Sequence, residues 1–311
     1  MSSNRRIWRL RLGSQGIEAE YAFSDGSAGV GFDIPEDLSG KFPEEWREFN
    51  ENYIPGWLER NPEKSKVAAG LSCAAVWTLG RGIRQGDLLM TPTPDGRFRF
   101  GKVTGEYYFD AENVLPHRRR VEWLDEFAEK EDLSEGLYRS IRGPLSLVQI
   151  TKYSDEIEAL VEGVPAPSIT SSDPDIEDPS VFALEQHLED FLIANWSQTS
   201  LAEGYDLLED GGEMVAQQFP TDTGPIDILA VSKDRSEFLV IELKRGRASD
   251  VVVGQIQRYM GYVLSELTVD GQSVKGAIIA LNEDKRLERA LTVAPNIDFY
   301  RYRVNFELEK G

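Results

Sequence analysis

The most constraining feature of this sequence is a predicted hairpin whose two strands both carry acidic residues. Two apolar runs, residues 226–231 and 238–244, flank a polar segment of six residues. This pattern is typical of a β-hairpin. If the six residues form the loop, Asp227 lies opposite Glu242 on one face. Because strand side chains alternate, Lys244 turns to the same face as Glu242.

Two neighbouring carboxylates in an apolar hairpin indicate a cation site. Their repulsion and desolvation are costly unless a cation or a raised pKa relieves them. A divalent metal is the simplest solution, and hard oxygen ligands favour Mg²⁺ or Mn²⁺. The next predicted helix, residues 249–267, places Gln255 and Tyr259 one turn apart on one face, from which they can reach back over the hairpin.

The order of these residues resembles the PD-(D/E)xK nuclease superfamily, in particular its RecB-like and NucS-like endonucleases with a QxxxY element. The matching residues are Asp227, Glu242, Leu243, Lys244, Gln255 and Tyr259. The resemblance implies metal-assisted phosphodiester hydrolysis in which Asp227, Glu242 and the backbone carbonyl of Leu243 hold the ion. It also implies that Lys244 orients a water or offsets phosphate charge, and that the glutamine and tyrosine position the nucleic-acid strand.

A helix predicted after Ser180 supplies a further acid. In NucS-like enzymes the leading helix carries the phrase E-x-x-L-E-D, one acid of which reaches the metal region. Here the phrase offers Glu185 and Glu189, one turn apart. Either one can be the ligand, and exposed surface glutamates are the alternative for both.

The predicted fold class is α/β (α+β), with two different halves. In the C-terminal half, strands are predicted at 213–220, 226–231, 238–244, 274–281 and 297–308. With the predicted helices they follow the order αβββαβ, with an added helix and strand, which the resemblance implies for a restriction-endonuclease-like core. In the N-terminal half, a long strand bent at Gly101 and Gly105, with strands at 117–124 and in 143–151, predicts a small curved sheet or barrel with helices. Aromatic residues at helical spacing in 41–61 predict a core helix.

The N-terminal half also resembles a known family. The phrases GVGFDIPEDLS, GDLLMTPTPDGRFRFGKVTGEYYF and HRRRVEWL resemble the PUA/EVE-like domain of modification-dependent (type IV, Mrr- or McrB-associated) restriction proteins, although Phe32 stands where that family has a tryptophan. The resemblance implies a pocket for a flipped modified base between aromatic walls. Our candidates for these walls are Trp77, Tyr107 and Trp123, and the alternative is that they fill the interior of the sheet.

The composition limits the partners. A formal charge of −20, from 54 acids and 34 bases, is unfavourable for phosphate binding unless basic residues cluster locally. Clusters occur, and from them we predict nucleic-acid contacts by Arg118, Arg119, Arg245 and Arg247. The single cysteine, Cys73, excludes an internal disulfide and is expected to be a buried small side chain.

Together these patterns and resemblances imply a Mg²⁺-dependent DNA endonuclease, a modification-dependent or defence-type restriction nuclease of prokaryotic or phage origin. Residues 1–162 would recognise DNA, with or without modified bases, 163–179 would form a linker rich in Pro, Ser and Asp, and 180–311 would cut. A NucS-like repair nuclease, a nucleotide-sensing effector and a binding-only protein remain alternatives. Cutting both strands needs two active sites, so a homodimer is expected. Lacking a signal or membrane segment, the protein is expected to be cytoplasmic.

Overall fold

The computed structural model describes residues 5–143, 145–162 and 188–302. It divides the chain into two units, Met1–Pro179 and Ser180–Gly311. The predicted linker 163–179 and the predicted cap Ser180 lie outside the described residues, so both stay predictions. Within the described ranges, no helix is both long and apolar enough to cross a membrane.

The N-terminal unit contains a six-stranded sheet in the order β2-β5-β4-β3-β1-β6. Only the β1–β3 pair is parallel. Among the described residues the sheet has two open edges, β2 and β6, so it is a curved sheet and not a closed barrel. The strands are β1 (Ile7–Leu10), β2 (Ser27–Val30), β3 (Leu88–Pro92), β4 (Phe98–Phe109), β5 (His117–Ala128) and β6 (Leu147–Gln149).

The curvature comes from the long β4–β5 pair. Its register shifts between Arg99 and Gly101 and again between Val103 and Tyr107, which confirms the irregularities predicted at Gly101 and Gly105. A Cβ at Gly101 would lie 2.6 Å from the Trp123 ring, so the strands can approach only because this residue has no side chain.

This unit contains helices, as predicted, and the second of them is the core helix predicted in 41–61. They are α1 (Ala19–Asp25), α2 (Trp46–Arg60), α3 (Lys66–Trp77), α4 (Glu135–Arg142) and α5 (Ser154–Glu162). A π-turn extends α3 to Gly82. Cys73 on α3 is buried, and burial raises the pKa of its thiol to about 12, which confirms it as a packing residue.

The C-terminal unit contains a second sheet in the order β10-β11-β12-β13-β14, with β7 also paired to β11. Its helices are α6, at 188–194, α7 (Val251–Tyr262) and α8 (Lys285–Thr292). The strands are β7 (Tyr205–Leu207), β8 (Glu209–Asp210), β9 (Glu213–Met214), β10 (Gln217–Phe219), β11 (Ile226–Ser232), β12 (Glu237–Ala248), β13 (Ser273–Glu283) and β14 (Ile297–Arg301).

The predicted hairpin is present in the predicted register. β11 and β12 are antiparallel and Val231 pairs with Phe238, as a six-residue loop requires. β12, β13 and β14 are parallel, which confirms that β13 returns by a crossover through α7.

The prediction of one strand over 213–220 is wrong. The segment forms two short strands, β9 in a small hairpin with β8 and β10 against β11. Between them Val215 and Ala216 are buried, and Gln218 within β10 has a left-handed φ of 50°. A left-handed residue interrupts the regular pleat that period-2 alternation assumes.

Helix α7 crosses the face of the sheet that carries the motif acids. A Cβ at Gly276, the partner of Val240 in β12, would lie 2.9 Å from Met260 and 3.0 Å from Ile256 of α7. Val240 and Glu242 share that face because they are two residues apart. The opposite face is apolar and packs on Trp196 and Leu201.

Candidate active site

Asp227 is fixed on β11 by a contact across the hairpin. Its Oδ2 accepts a hydrogen bond of 2.8 Å from the backbone N–H of Leu243, and its side chain is half-buried. This bond joins the first acid to the strand that carries the Glu-Leu-Lys triplet. The orientation of the carboxylate therefore depends on backbone geometry and not on a flexible surface partner.

Glu242 and Lys244 lie on the same face of β12, as the alternation predicts. Glu242 is 2% exposed, and the Lys244 Nζ lies 3.1 Å from its Oε1, while the lysine side chain is 33% exposed. The pair thus joins a buried carboxylate to an ammonium that reaches solvent. An ammonium in this position can contact an approaching anion without leaving the site.

Tyr259 covers the acids from α7. Burial raises the pKa of its hydroxyl, the Gln255 hydrogen bond opposes that rise, and the nearby Glu242 and Asp227 carboxylates add to it. The Gln255 Nε2 lies 3.4 Å from the Tyr259 Oη, so the predicted helix pair is in contact. Tyr259 is therefore a neutral phenol, able to donate a hydrogen bond.

A glycine makes room for this tyrosine. Gly224, three residues before Asp227, has a φ of 122°, and a Cβ there would lie 3.1 Å from the Tyr259 Oη. Any other residue would be strained at that φ and would crowd the hydroxyl. The Gly-Pro that precedes the first acid thus has a local steric role.

Glu189 of α6 reaches the site, whereas Glu185 lies outside the described residues. The Glu189 side chain is 5% exposed, and its Oε2 accepts a hydrogen bond of 2.7 Å from Gln218 Nε2. The same nitrogen lies 3.3 Å from Asp227 Oδ1. Gln218 was not predicted. It lies opposite Asp227 in the β10–β11 pair, a pairing that only the structure shows.

The donor set suits a hard divalent cation. Carboxylates and a backbone carbonyl are the ligands that Mg²⁺ and Mn²⁺ prefer, and Gln218 brings two of these carboxylates to one nitrogen. Among the described residues, no three or more His, Cys, Asp or Glu side chains already form a metal-binding group. The acids are instead held by Gln218, by Lys244 and by the Leu243 N–H.

The prediction that Arg118 and Arg119 contact nucleic acid is wrong. Both are buried, 1% and 3% exposed. Arg118 bonds Asp25 at 3.1 Å, and Arg119 donates to the carbonyls of Leu79 and Gly80, each at 2.6 Å. Neighbouring residues on β5 face opposite sides of the sheet, and each of these two faces is covered. Their charges satisfy internal acceptors and cannot reach a phosphate.

The other two arginines predicted to contact nucleic acid, Arg245 and Arg247, both belong to β12. Arg247 is exposed near the carboxyl end of β12, beyond a register shift that follows Lys244, and its contact with nucleic acid stays a prediction. The side chain of Arg245 lies outside the described part of the chain.

The three aromatic residues predicted to line a base pocket all pack against the N-terminal core. The Trp77 indole donates to the Pro43 carbonyl at 3.2 Å, and the Trp123 indole donates to the Ala22 carbonyl at 3.1 Å. The Tyr107 hydroxyl lies 2.8 Å from the His117 Nδ1, and burial raises its pKa to about 12. Polar atoms satisfied inside the unit favour the alternative that these rings fill the interior.

Comparison with known families gives a separate match for each part of the chain. Residues 193–305 match the family model described as the Endonuclease NucS C-terminal domain. Residues 8–141 match a model described as Domain of unknown function (DUF8426). The resemblance of the N-terminal half to PUA/EVE-like domains therefore stays a prediction.

One curated relative is the Endonuclease NucS of Methanocaldococcus jannaschii, which is 30% identical over 96 residues. These are 31% of this chain and 35% of that protein, so the match spans about a third of the relative's length. A repair endonuclease from Pyrococcus abyssi, covering 70% of this chain and 78% of its own, aligns with a TM-score of 0.30 at 19% identity.

Two further solved structures are similar at the same distant level. The EndoMS-dsDNA2 complex covers 70% of this chain and 77% of its own, with a TM-score of 0.31 and 16% identity. The match to the MspJI restriction endonuclease in complex with a 27-mer oligonucleotide covers 75% of this chain and 63% of that chain, with a TM-score of 0.23 and 10% identity. Likeness at this level says nothing about activity.

Proposed function

Because residues 193–305 match the model of the Endonuclease NucS C-terminal domain, we propose that this protein is a DNA endonuclease that hydrolyses phosphodiester bonds with Mg²⁺ or Mn²⁺. One observation carries the proposal: Asp227, Glu242 and Lys244 share one face of the β11–β12 hairpin, beneath Tyr259. Carboxylates beside a lysine that reaches solvent suit a phosphodiester, whose reaction adds negative charge.

The residues divide into those that hold the ion and those that hold the nucleic acid. Asp227, Glu242, the Leu243 carbonyl and Glu189 would hold Mg²⁺ or Mn²⁺. When bound, such an ion lowers the pKa of a water and stabilises charge on the scissile phosphate. The Lys244 ammonium orients the attacking water or offsets charge on the phosphate. Gln255 and the neutral Tyr259 hydroxyl donate hydrogen bonds that position the strand.

Substitution of the acid and of the lysine tests the chemistry. We expect Asp227→Asn to abolish Mg²⁺-dependent cleavage of duplex DNA and Lys244→Ala to lower its rate by about 10²-fold or more. The measurement is the single-turnover rate on a labelled duplex. Lys275→Ala is the matched control, because Lys275 forms a similar pair with Glu237, 3.4 Å away in the same sheet. Full activity in Asp227→Asn or Lys244→Ala refutes the assignment.

In this proposal, the N-terminal unit selects the DNA that is cut. Residues 8–141 match a different family from the nuclease domain, and the motif residues of the chemistry all lie in the other unit. We propose a defence nuclease that prefers modified DNA, and a repair nuclease is the second candidate. Cleavage of a duplex with 5-methylcytosine or 5-hydroxymethylcytosine in preference to the plain duplex favours the first. Preference for a mismatch or flap favours the second.

The oligomeric state and the ligand of the N-terminal unit can each be measured separately. A homodimer would supply the two active sites needed for a double-strand cut, and sedimentation of the full chain measures it. A thermal-shift screen with free nucleotides tests whether the N-terminal unit senses a nucleotide instead of DNA.

A further inference from the structure

Gln218 has an unusual backbone conformation next to the candidate site. Its φ is 50°, a left-handed value that L-residues with long side chains seldom adopt. The flanking pairs Gln217–Ile228 and Phe219–Ile226 are in register, which places Gln218 directly opposite Asp227. Strained residues that persist in a fold tend to occur at functional sites.

The side-chain amide of Gln218 connects two carboxylates from different elements. Its Nε2 donates to Glu189 Oε2 on α6 at 2.7 Å and to Asp227 Oδ1 on β11 at 3.3 Å. Both partners accept only, so the NH₂ end of the amide must face them. Since both distances meet at one nitrogen, the two carboxylate oxygens lie within about 6 Å of each other.

We propose that Gln218 is a positioning residue that holds Glu189 and Asp227 together before a divalent cation binds. The inference rests on the proposed metal site and deepens it. Two carboxylates this close repel each other, and an NH₂ group that gives one hydrogen bond to each offsets the repulsion. The cation then meets acids that are already gathered, so less of its binding free energy is lost in bringing them together.

The neighbouring residue provides an internal comparison. Gln217 makes the same kind of contact, from its Nε2 to Asp190 Oδ1 at 2.9 Å. Asp190 follows Glu189 on α6, but no bond joins Gln217 to Asp227 in the described part of the chain. Removing either side-chain amide removes one glutamine–carboxylate contact to α6. Only the Gln218 amide also contacts Asp227.

The experiment compares Gln218→Ala with Gln217→Ala in the full chain. Calorimetric titration with Mn²⁺ alone, without DNA, measures binding directly. We expect Gln218→Ala to weaken Mn²⁺ binding by about 10–100-fold, as is usual for residues that orient metal ligands, and Gln217→Ala to bind like the wild type. The Mg²⁺ concentration for half-maximal cleavage should rise by a similar factor in Gln218→Ala, with the rate at saturating Mg²⁺ changed only a few-fold.

A third variant separates the amide from the backbone. Gln218→Gly relieves the left-handed strain but lacks the amide, so we expect it to resist heat better than Gln218→Ala and to bind Mn²⁺ no better. Two results would overturn the inference. The first is that Gln218→Gly binds Mn²⁺ as tightly as the wild type, and the second is that Gln218→Ala and Gln217→Ala bind Mn²⁺ equally well. Should the variants differ in Mn²⁺ binding while the wild type cuts no DNA, the positioning role stands and the proposed function fails. Cleavage without a difference in Mn²⁺ binding overturns only the positioning role.

Discussion

Arg118, Arg119 and Arg120 follow one another on β5, but the first two side chains are buried and the third is 54% exposed. The first two hold parts of the N-terminal unit together through buried acceptors. A buried guanidinium is tolerable only when its donors are satisfied. The prediction of a phosphate contact is based on the cluster of basic residues in the sequence. Such a cluster does not show which arginines are buried and which are exposed.

We therefore expect Arg119→Met to unfold the N-terminal unit more easily and not to change DNA affinity selectively. The substitution leaves the Leu79 and Gly80 carbonyls without their donor, and the expected loss is about 3 kcal/mol in the free energy of unfolding. Urea unfolding followed by tryptophan fluorescence measures it, because five of the six tryptophans lie in this unit.

Arg120→Met is the matched control for Arg119→Met. Its partner Asp25 lies 3.6 Å away at the surface, so the expected loss is about 1 kcal/mol or less. Equal losses in the two variants would contradict the structural role assigned to Arg119.

At the scale of elements, His117 joins β5 to β4 and to the loop before α2. Its Nδ1 lies 2.8 Å from the Tyr107 hydroxyl on β4, and its Nε2 lies 2.7 Å from the Ile34 carbonyl. A carbonyl only accepts, so Nε2 carries the proton and Nδ1 accepts from the tyrosine. Burial lowers the pKa of His117, against smaller opposing effects of the Ile34 hydrogen bond and of Asp37 and Glu36.

This lowered pKa predicts a loss of stability in weak acid. Above pH 6.5, the ordinary value, both folded and unfolded states hold a neutral imidazole. As the pH falls from there through the lower folded-state pKa, the unfolded state takes up the proton first, and the folded state becomes less stable relative to it. Urea unfolding at pH 7.5 and pH 5.5 measures the loss. His117→Gln should remove most of this difference, and an unchanged difference would contradict the prediction.

Sequence patterns predict some of the secondary-structure elements correctly and others not. The hairpin and its register follow from two β-branched runs and a loop of fixed length, so Asp227, Glu242 and Lys244 could be placed on one face in advance. The strand over 213–220 could not be predicted correctly, because Gln218 is left-handed. Its contact with Glu189, 29 residues earlier, depends on the packing of α6, which no local period encodes.

At the scale of the whole molecule, a charge of −20 has to be reconciled with the proposed binding to DNA. The mean field repels phosphate, so binding must depend on a few cations near the site, effective within about 8 Å at physiological salt. Arg247 is a candidate because it is exposed on the strand that carries Glu242 and Lys244.

We expect Arg247→Ala to weaken DNA binding uniformly across sequences and to reduce the slope of log affinity against log salt by about one. The measurement is fluorescence anisotropy with a labelled duplex at several NaCl concentrations, in the Asp227→Asn background so that the duplex stays intact. Arg235→Ala, in the loop at the other end of the hairpin, is the control. The same slope in both variants would exclude Arg247 from the phosphate contacts.

The bond from the Leu243 N–H to Asp227 links chemical competence to correct folding. A hairpin paired one position out of place would turn Asp227 to the apolar side of the sheet, away from Glu242 and from the amide of Gln218. Such a misfolded copy would be inert instead of indiscriminate. For the proposed DNA endonuclease, an error in assembly would thereby spare the genome.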